Sequence, residues 1–232
     1  MEKQKQYIDE AEIKRALEII KKGELFEIRI IKGRKVFSAY FEDPEEAIRE
    51  LRRMDLSGAN VYFTPQRLHE GCSARHQYGK FLEISKEGLP STSDNEVIGY
   101  NYLLIDLDPV RPAGISSTEE ELQAAWEIKS EVTEYLISNG FDDYIVACSG
   151  NGYHILVKME LPNTAENKEQ VKQRLARLDK LFSTEACHVD VTTYNPARVF
   201  KVYGTLSQKG RDTEERPHRM ARILEVHHAE TN

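Results

Sequence analysis

Apolar residues recur at helical spacing at Ile13, Ala16, Leu17 and Ile20, with Asp9 ahead of them and Glu12 three positions on. This predicts a capped helix that Gly23 ends. Two runs of strand character follow, Leu25 to Ile31 and Lys35 to Phe41, joined through Gly33 as a hairpin. Asp43, Pro44, Glu45 and Glu46 supply the cap, first-turn proline and acidic turn of a second helix that reaches about Met54. Val61, Tyr62 and Phe63 read as a short strand, and the polar stretch from Pro65 to Asn95 as mostly loop. Residues 1–95 therefore form an N-terminal α/β module.

The pattern from residue 96 to 232 is more regular. A Tyr, Leu and Ile strand starting at Tyr100 runs into Asp106, Leu107, Asp108 and Pro109. Thr118 and Glu121 make a capping box, after which Leu122, Ala125, Trp126, Val132 and Leu136 line a long helix closed by Gly140. Trp126 is expected in the core. Tyr144 to Cys148 and Tyr153 to Met159 are strands around Ser149-Gly150-Asn151-Gly152, where Asn-Gly is a strong hairpin signal. Val171, Leu175, Leu178 and Phe182 mark another helix. Strands are expected near His188 to Val191, Arg198 to Tyr203 and Arg219 to Val226. The β-α-β-β-α-β order is that of a ferredoxin-like, or RRM-like, sheet with helices on one face, so the fold class is α+β.

Composition narrows the function classes. The chain has 232 residues, 40% hydrophobic and 31% charged, and its mean hydropathy is −0.58. No run approaches the ~20 apolar residues of a membrane span, and the start MEKQKQYIDE lacks a signal region, so a cytoplasmic protein without a membrane partner is expected. Cys72, Cys148 and Cys187 are odd in number and far apart, and read as reduced thiols. The net charge of −7 argues against a chain coated for nucleic acid. Between Arg198 and Arg222, however, seven basic residues stand against three acidic ones, +4, leaving −11 elsewhere. A polyanion held at that one place, or a solvated basic tail, accounts for the asymmetry.

Asp106 and Asp108 lie two apart on a strand, so both carboxylates share one face while Leu103, Ile105 and Leu107 take the other. Such a pair fits a divalent cation, a salt-bridged pair or a solvated strand end. In Ser149-Gly150-Asn151-Gly152-Tyr153-His154, two glycines let the backbone approach a ligand, although an ordinary hairpin also explains them. His154 at the start of a buried strand is less readily explained by packing. Asp190, in His188-Val189-Asp190, adds a third strand carboxylate. His69, Cys72 and His76 invite a zinc reading, but no fourth ligand is evident and the spacing is not standard.

Together these elements resemble the archaeo-eukaryotic primase superfamily, and more closely its bacterial, phage and plasmid primase-polymerases. The likeness extends to Asn195-Pro196-Ala197-Arg198, Lys201, Gly204-Thr205, Lys209-Gly210 and Arg216-Pro217-His218-Arg219, and in the first module only to Val61-Tyr62-Phe63 and Arg75. It implies a template-directed nucleotidyltransferase in which Asp106, Asp108 and Asp190 hold two Mg²⁺ or Mn²⁺ ions. Nucleotide binding would then fall to Ser149, Gly150, Gly152, His154 and Arg198, with Lys201 and Lys209 as second candidates. Arg75, Arg211, Arg216 and Arg219 are the candidate DNA contacts. The implied partners are nucleoside triphosphates and a single-stranded or primed DNA template; the expectation is either a fragment of a larger enzyme or one that depends on a helicase or another replication or CRISPR-associated protein. The rival expectations are an inactive nucleic-acid-binding module and an initiator-type nuclease on a related sheet, although the HxH of the latter is missing.

Overall fold

The computed structural model describes residues 7–228. Helix α1, Glu10–Lys21, begins where Asp9 accepts from the Glu12 N–H at 3.2 Å and stops at Lys22 and Gly23, both at positive φ. Strands β1, Phe26–Lys32, and β2, Lys35–Phe41, form the expected antiparallel hairpin. Helix α2, Pro44–Leu51, is capped by Asp43 and ends sooner than its apolar spacing suggests. Strand β3, Asn60–Phe63, pairs with β1. Across 65–95 only short pieces form: β4, Arg67–Leu68; β5, Leu82–Glu83; and α3, Ile84–Glu87.

The second half is built on β6, Val97–Pro109. Helix α4, Glu119–Ser138, carries the full Thr118/Glu121 capping box. Strands β7, Tyr144–Cys148, and β8, Tyr153–Pro162, precede helix α5, Ala165–Phe182, and strand β9, Cys187–Val189. Their order in the sheet is β7-β8-β6-β9 with every neighbour antiparallel, which is the ferredoxin-like order.

The strand expected over Arg198 to Tyr203 does not join this sheet. Only β10, Phe200–Lys201, forms, and it pairs with β3, placing Phe200 opposite Phe63 and Lys201 opposite Tyr62. Alternation between apolar and polar positions sets strand character but does not choose the partner. After β11, Leu206–Ser207, and β12, Arg219–Met220, which pair with each other, β13, Arg222–His227, extends the ferredoxin-like sheet beyond β7.

One face of that sheet, with Leu103, Ile105 and Leu107, packs on α4 and α5 through Ala125, Val132, Val171 and Leu175. The other face, with Tyr102, Leu104 and Leu156, meets Ile13 and Leu17 of α1 and Phe26, Phe63 and Phe200 of the first sheet. Both halves thus contribute to one core. Trp126 is half-buried at the edge of the helical layer, edge-on to Tyr153 at 5.5 Å with the Lys129 ammonium 3.6 Å from its ring centre. Among the described residues no helix is long and apolar enough to cross a membrane.

Candidate active site

Period-two alternation on β6 sends Leu107 into the helical core and Asp106 and Asp108 to the opposite side. Asp106 lies in register with His154 on β8, and the Asp190 N–H donates to the Asp106 carbonyl at 2.8 Å, which brings the third carboxylate to the same end of the sheet. A cleft opens there, lined by Asp106, Asp108, Ser149, His154, Arg198, Lys201 and Lys209 together with Tyr62, Asn151 and Ser207. A second cleft continues from Asp108 and Lys209 past Val110, His188 and Asp190.

Each carboxylate of the set faces a nitrogen. Asp106 Oδ1 is 3.5 Å from His154 Nε2; Asp108 Oδ1 accepts from Arg111 Nη1 at 2.8 Å; Asp190 Oδ2 accepts from Arg198 Nη2 at 2.5 Å. Asp190 Oδ1 also accepts from the Thr192 N–H and hydroxyl, capping a 3₁₀ turn. The Asp106 carboxylate receives no hydrogen bond among the described residues. Burial first, then the charges of Asp108 and Asp190, push it up to about 7 against the opposing pull of Arg198 and Lys209.

On the cationic side, burial brings Lys201 down to about 7, with Lys209 adding repulsion. Lys201 Nζ donates to the Leu206 carbonyl at 3.1 Å and to Asn60 Oδ1 at 3.3 Å. His154 is 4% exposed and, by burial and the neighbouring Lys209, Arg198 and Lys201, titrates near 3. It is a neutral imidazole, 4.1 Å from the Phe200 ring.

The glycines of the second motif serve close approach. A Cβ on Gly152 would lie 2.3 Å from the Leu107 carbonyl, and one on Gly150 would meet Ser207 Cβ at 2.5 Å and the Arg219 carbonyl at 2.9 Å. The Ser149 N–H donates to the Gly152 carbonyl at 2.9 Å, and positive φ occurs at Gly150 but not Asn151. Gly150, rather than Asn-Gly, therefore supplies the left-handed residue of this turn.

Asn151 is buried and binds outward. Its Oδ1 accepts from the Ser117 N–H at 2.9 Å, its Nδ2 donates to Ser207 Oγ at 2.8 Å, and its carbonyl accepts from Ser117 Oγ at 2.6 Å. Sequence reasoning used Asn151 up as a turn former and so missed this bracing. It missed Ser207 as well, which only the meeting of distant segments brings to Asn151, and Arg111, which lies three residues past Asp108 but carries no motif.

The candidate DNA contacts divide. Arg216 makes two bonds to the Glu121 carboxylate, at 2.8 and 2.9 Å, and one to the Ser116 carbonyl. Arg219 binds Glu119 and the Ser117 carbonyl. Both pin the loop between β6 and α4. Arg75 binds Glu96, the Tyr40 hydroxyl and the Pro90 carbonyl, away from the cleft. Arg211 is exposed. At the candidate zinc residues, His69 Nδ1 accepts from the Gly71 N–H and Cys72 is buried in a small apolar cluster. Among the described residues, no three His, Cys, Asp or Glu side chains converge as a metal site as they stand; Asp108 and Asp190 are turned to Arg111 and Arg198.

No protein-family model and no curated protein matches this sequence. Solved structures do. The cyanophage S-2L primase-polymerase AEP domain superposes with a TM-score of 0.55 at 16% identity, covering 95% of this chain and 92% of that one. Primase RepB′ gives 0.51 at 14% identity over 94% of this chain, which spans 56% of the RepB′ chain, little more than half its length. The chain shares its fold with the cyanophage S-2L primase-polymerase AEP domain and with primase RepB′.

Proposed function

We propose that this chain is a template-directed nucleotidyltransferase, a primase-polymerase core that joins nucleoside triphosphates on a DNA template. The observation that supports it is the gathering of opposite charges in one cleft. Asp106 and Asp108 line it together with Arg198, Lys201, Lys209 and His154.

Three carboxylates without sulfur make the donor set of a hard divalent cation, and the half-buried Asp106 carboxylate, beside two like charges and with no hydrogen bond to it among the described residues, fits one. Asp106, Asp108 and Asp190 would hold two such ions. Bound there, they supply activation of the attacking 3′-hydroxyl and charge stabilisation of departing pyrophosphate. The chain's own residues do the rest. Lys201, fixed by Asn60 and Leu206, and Lys209 attract the triphosphate. Arg198 offsets the negative charge that grows on the leaving oxygens. Ser149 and His154 donate to phosphate oxygens, and the close packing of Gly152 on Leu107 sets the distance between motif and carboxylates.

The test is primer synthesis and extension on single-stranded and primed DNA, with ribo- and deoxynucleotides in Mg²⁺ or Mn²⁺. Nucleotide incorporation by the wild type and none by Asp106→Ala/Asp108→Ala, with an unchanged or higher thermal midpoint, is the expected result. DNA binding without incorporation under any of these conditions overturns the reading in favour of a binding module.

A further inference from the structure

We propose that Tyr203 holds His154 in the tautomer protonated at Nε2, so that the imidazole presents a neutral N–H donor to the cleft. Tyr203 is fully buried, and its ring is wedged edge-on against Phe63 and His154. Its hydroxyl oxygen lies 2.9 Å from His154 Nδ1, and no other hydrogen-bond partner reaches it among the described residues.

A phenol carries one proton, and leaving a buried one without an acceptor forfeits its hydrogen bond to water with nothing in return. Burial beside Asp106 raises the Tyr203 hydroxyl well above its ordinary range, so the proton stays on oxygen. Among the described residues the only acceptor in reach is Nδ1, which must then present its lone pair. An imidazole whose Nδ1 presents its lone pair carries its one N–H at Nε2.

The far side of the ring agrees. Nε2 faces Asp106 Oδ1 at 3.5 Å, and against the ionised carboxylate an N–H is attractive where a lone pair would be repelled. Tyr203 is therefore a positioning residue: it touches neither cleft nor ligand, yet decides which atom of His154 donates. The cleft's positive charge then comes from Arg198, Lys201 and Lys209, with His154 contributing direction. That use of the donor toward a triphosphate rests on the proposed function; the tautomer itself does not.

The experiment is a long-range proton–nitrogen correlation spectrum of the full chain with ¹⁵N-labelled histidine, in EDTA and without nucleotide, with His154→Gln identifying the His154 signals among the seven histidines. The expected spectrum has the His154 proton on Nε2 and an Nδ1 resonance displaced from the free acceptor value by a hydrogen bond. In Tyr203→Phe, which removes one oxygen, Nδ1 moves to the free acceptor value while the other histidines stay in place. A wild-type proton on Nδ1, or an Nδ1 resonance unmoved in the Phe variant, overturns the inference. Because the wild-type spectrum decides by itself, it stands even if the variant folds poorly. Titration with inorganic tripolyphosphate separates the two readings. Affinity should fall about three- to tenfold in Tyr203→Phe, one hydrogen bond's net worth. Unchanged affinity beside the expected spectrum removes His154 from the triphosphate site and leaves the tautomer intact.

Discussion

Arg111 Nη1 donates to Asp108 Oδ1 at 2.8 Å and to the Pro109 carbonyl at 2.9 Å, while its Nε reaches the Ile115 carbonyl at 3.3 Å. The guanidinium is 6% exposed, so one planar fork both folds the start of the β6–α4 loop and occupies one oxygen of Asp108.

Arg111→Ala should therefore destabilise the protein by about 2–3 kcal/mol, since charge-assisted hydrogen bonds are worth roughly 1.5–3 kcal/mol when buried. Arg111→Lys should recover little, because an ammonium cannot reach three acceptors from the plane of a guanidinium. Urea midpoints for the three proteins check this. A lysine variant as stable as wild type would show that charge, and not the fork, organises the loop.

Gly152→Ala should damage both stability and incorporation. The added methyl would sit 2.3 Å from the Leu107 carbonyl, a backbone atom that cannot rotate away. The second motif has to lift off β6, at a cost of about 1–3 kcal/mol for overpacking, and the separation of His154 from Asp106 grows. Thermal unfolding and steady-state nucleotide kinetics together measure it, with a loss in kcat/KM of tenfold or more expected. Gly114→Ala is the control: open space surrounds its Cβ, so its effect should be limited to the strain of a positive φ. Equal behaviour of the two variants would mean that the approach of Gly152 to Leu107 constrains nothing.

Much of this architecture is legible in the sequence because local rules decide it. Asp9, Thr118 with Glu121, and Gly140 mark helix ends through caps that need only neighbouring residues. Alternation on β6 is enough to place Asp106 and Asp108 opposite Leu107. Pairings between distant segments are not legible. Phe200 and Lys201 look like any half-buried strand, and only the tertiary fold sends them to β3. Arg216 and Arg219 share their charge and exposure pattern with nucleic-acid contacts, and Glu119 and Glu121, far earlier in the chain, are what engage them. Arg111 and Tyr203 carry no motif at all.

Lys201 should give the fold a pH dependence. It is 4% exposed, and burial brings its ammonium from the ordinary 10.5 down to about 7. Below about pH 7 the group is charged in both folded and unfolded chains, and the fold carries the full cost of burying it. Between about 7 and 10.5 the folded chain releases the proton first, the unfolded chain holds more protons, and stability rises with pH. Lys201→Met removes this contribution. The stability of wild type relative to the variant should climb by on the order of 2–4 kcal/mol from pH 7 to pH 10, read from urea midpoints in EDTA. Lys21, also buried and brought down to about 8, titrates in both proteins and cancels in the difference. A pH-independent difference would mean that Lys201 keeps an ordinary lysine's affinity for its proton.

Arg198 stands between two assignments, triphosphate ligand and template contact, and its placement makes them separable. It lines the cleft with Asp106 and His154 and holds Asp190 at 2.5 Å, eight residues away along the chain. From that position its guanidinium faces the Asp190 carboxylate while staying about a third exposed, at 35%. Removing a side chain that neutralises one phosphate of a single strand should flatten the slope of log affinity against log salt by about 0.7, while removing a triphosphate ligand leaves that slope unchanged. Arg198→Ala should therefore lower kcat/KM for nucleotide about tenfold to a hundredfold, the worth of one charge-assisted bond of roughly 1.5–3 kcal/mol, and keep the wild-type salt slope for DNA. Arg211→Ala, an exposed position on the loop after Lys209, is the comparison: it should spare nucleotide kinetics. If Arg198→Ala flattens the slope and incorporates normally at saturating DNA, the arginine belongs to the template, and Lys201 and Lys209 alone hold the triphosphate.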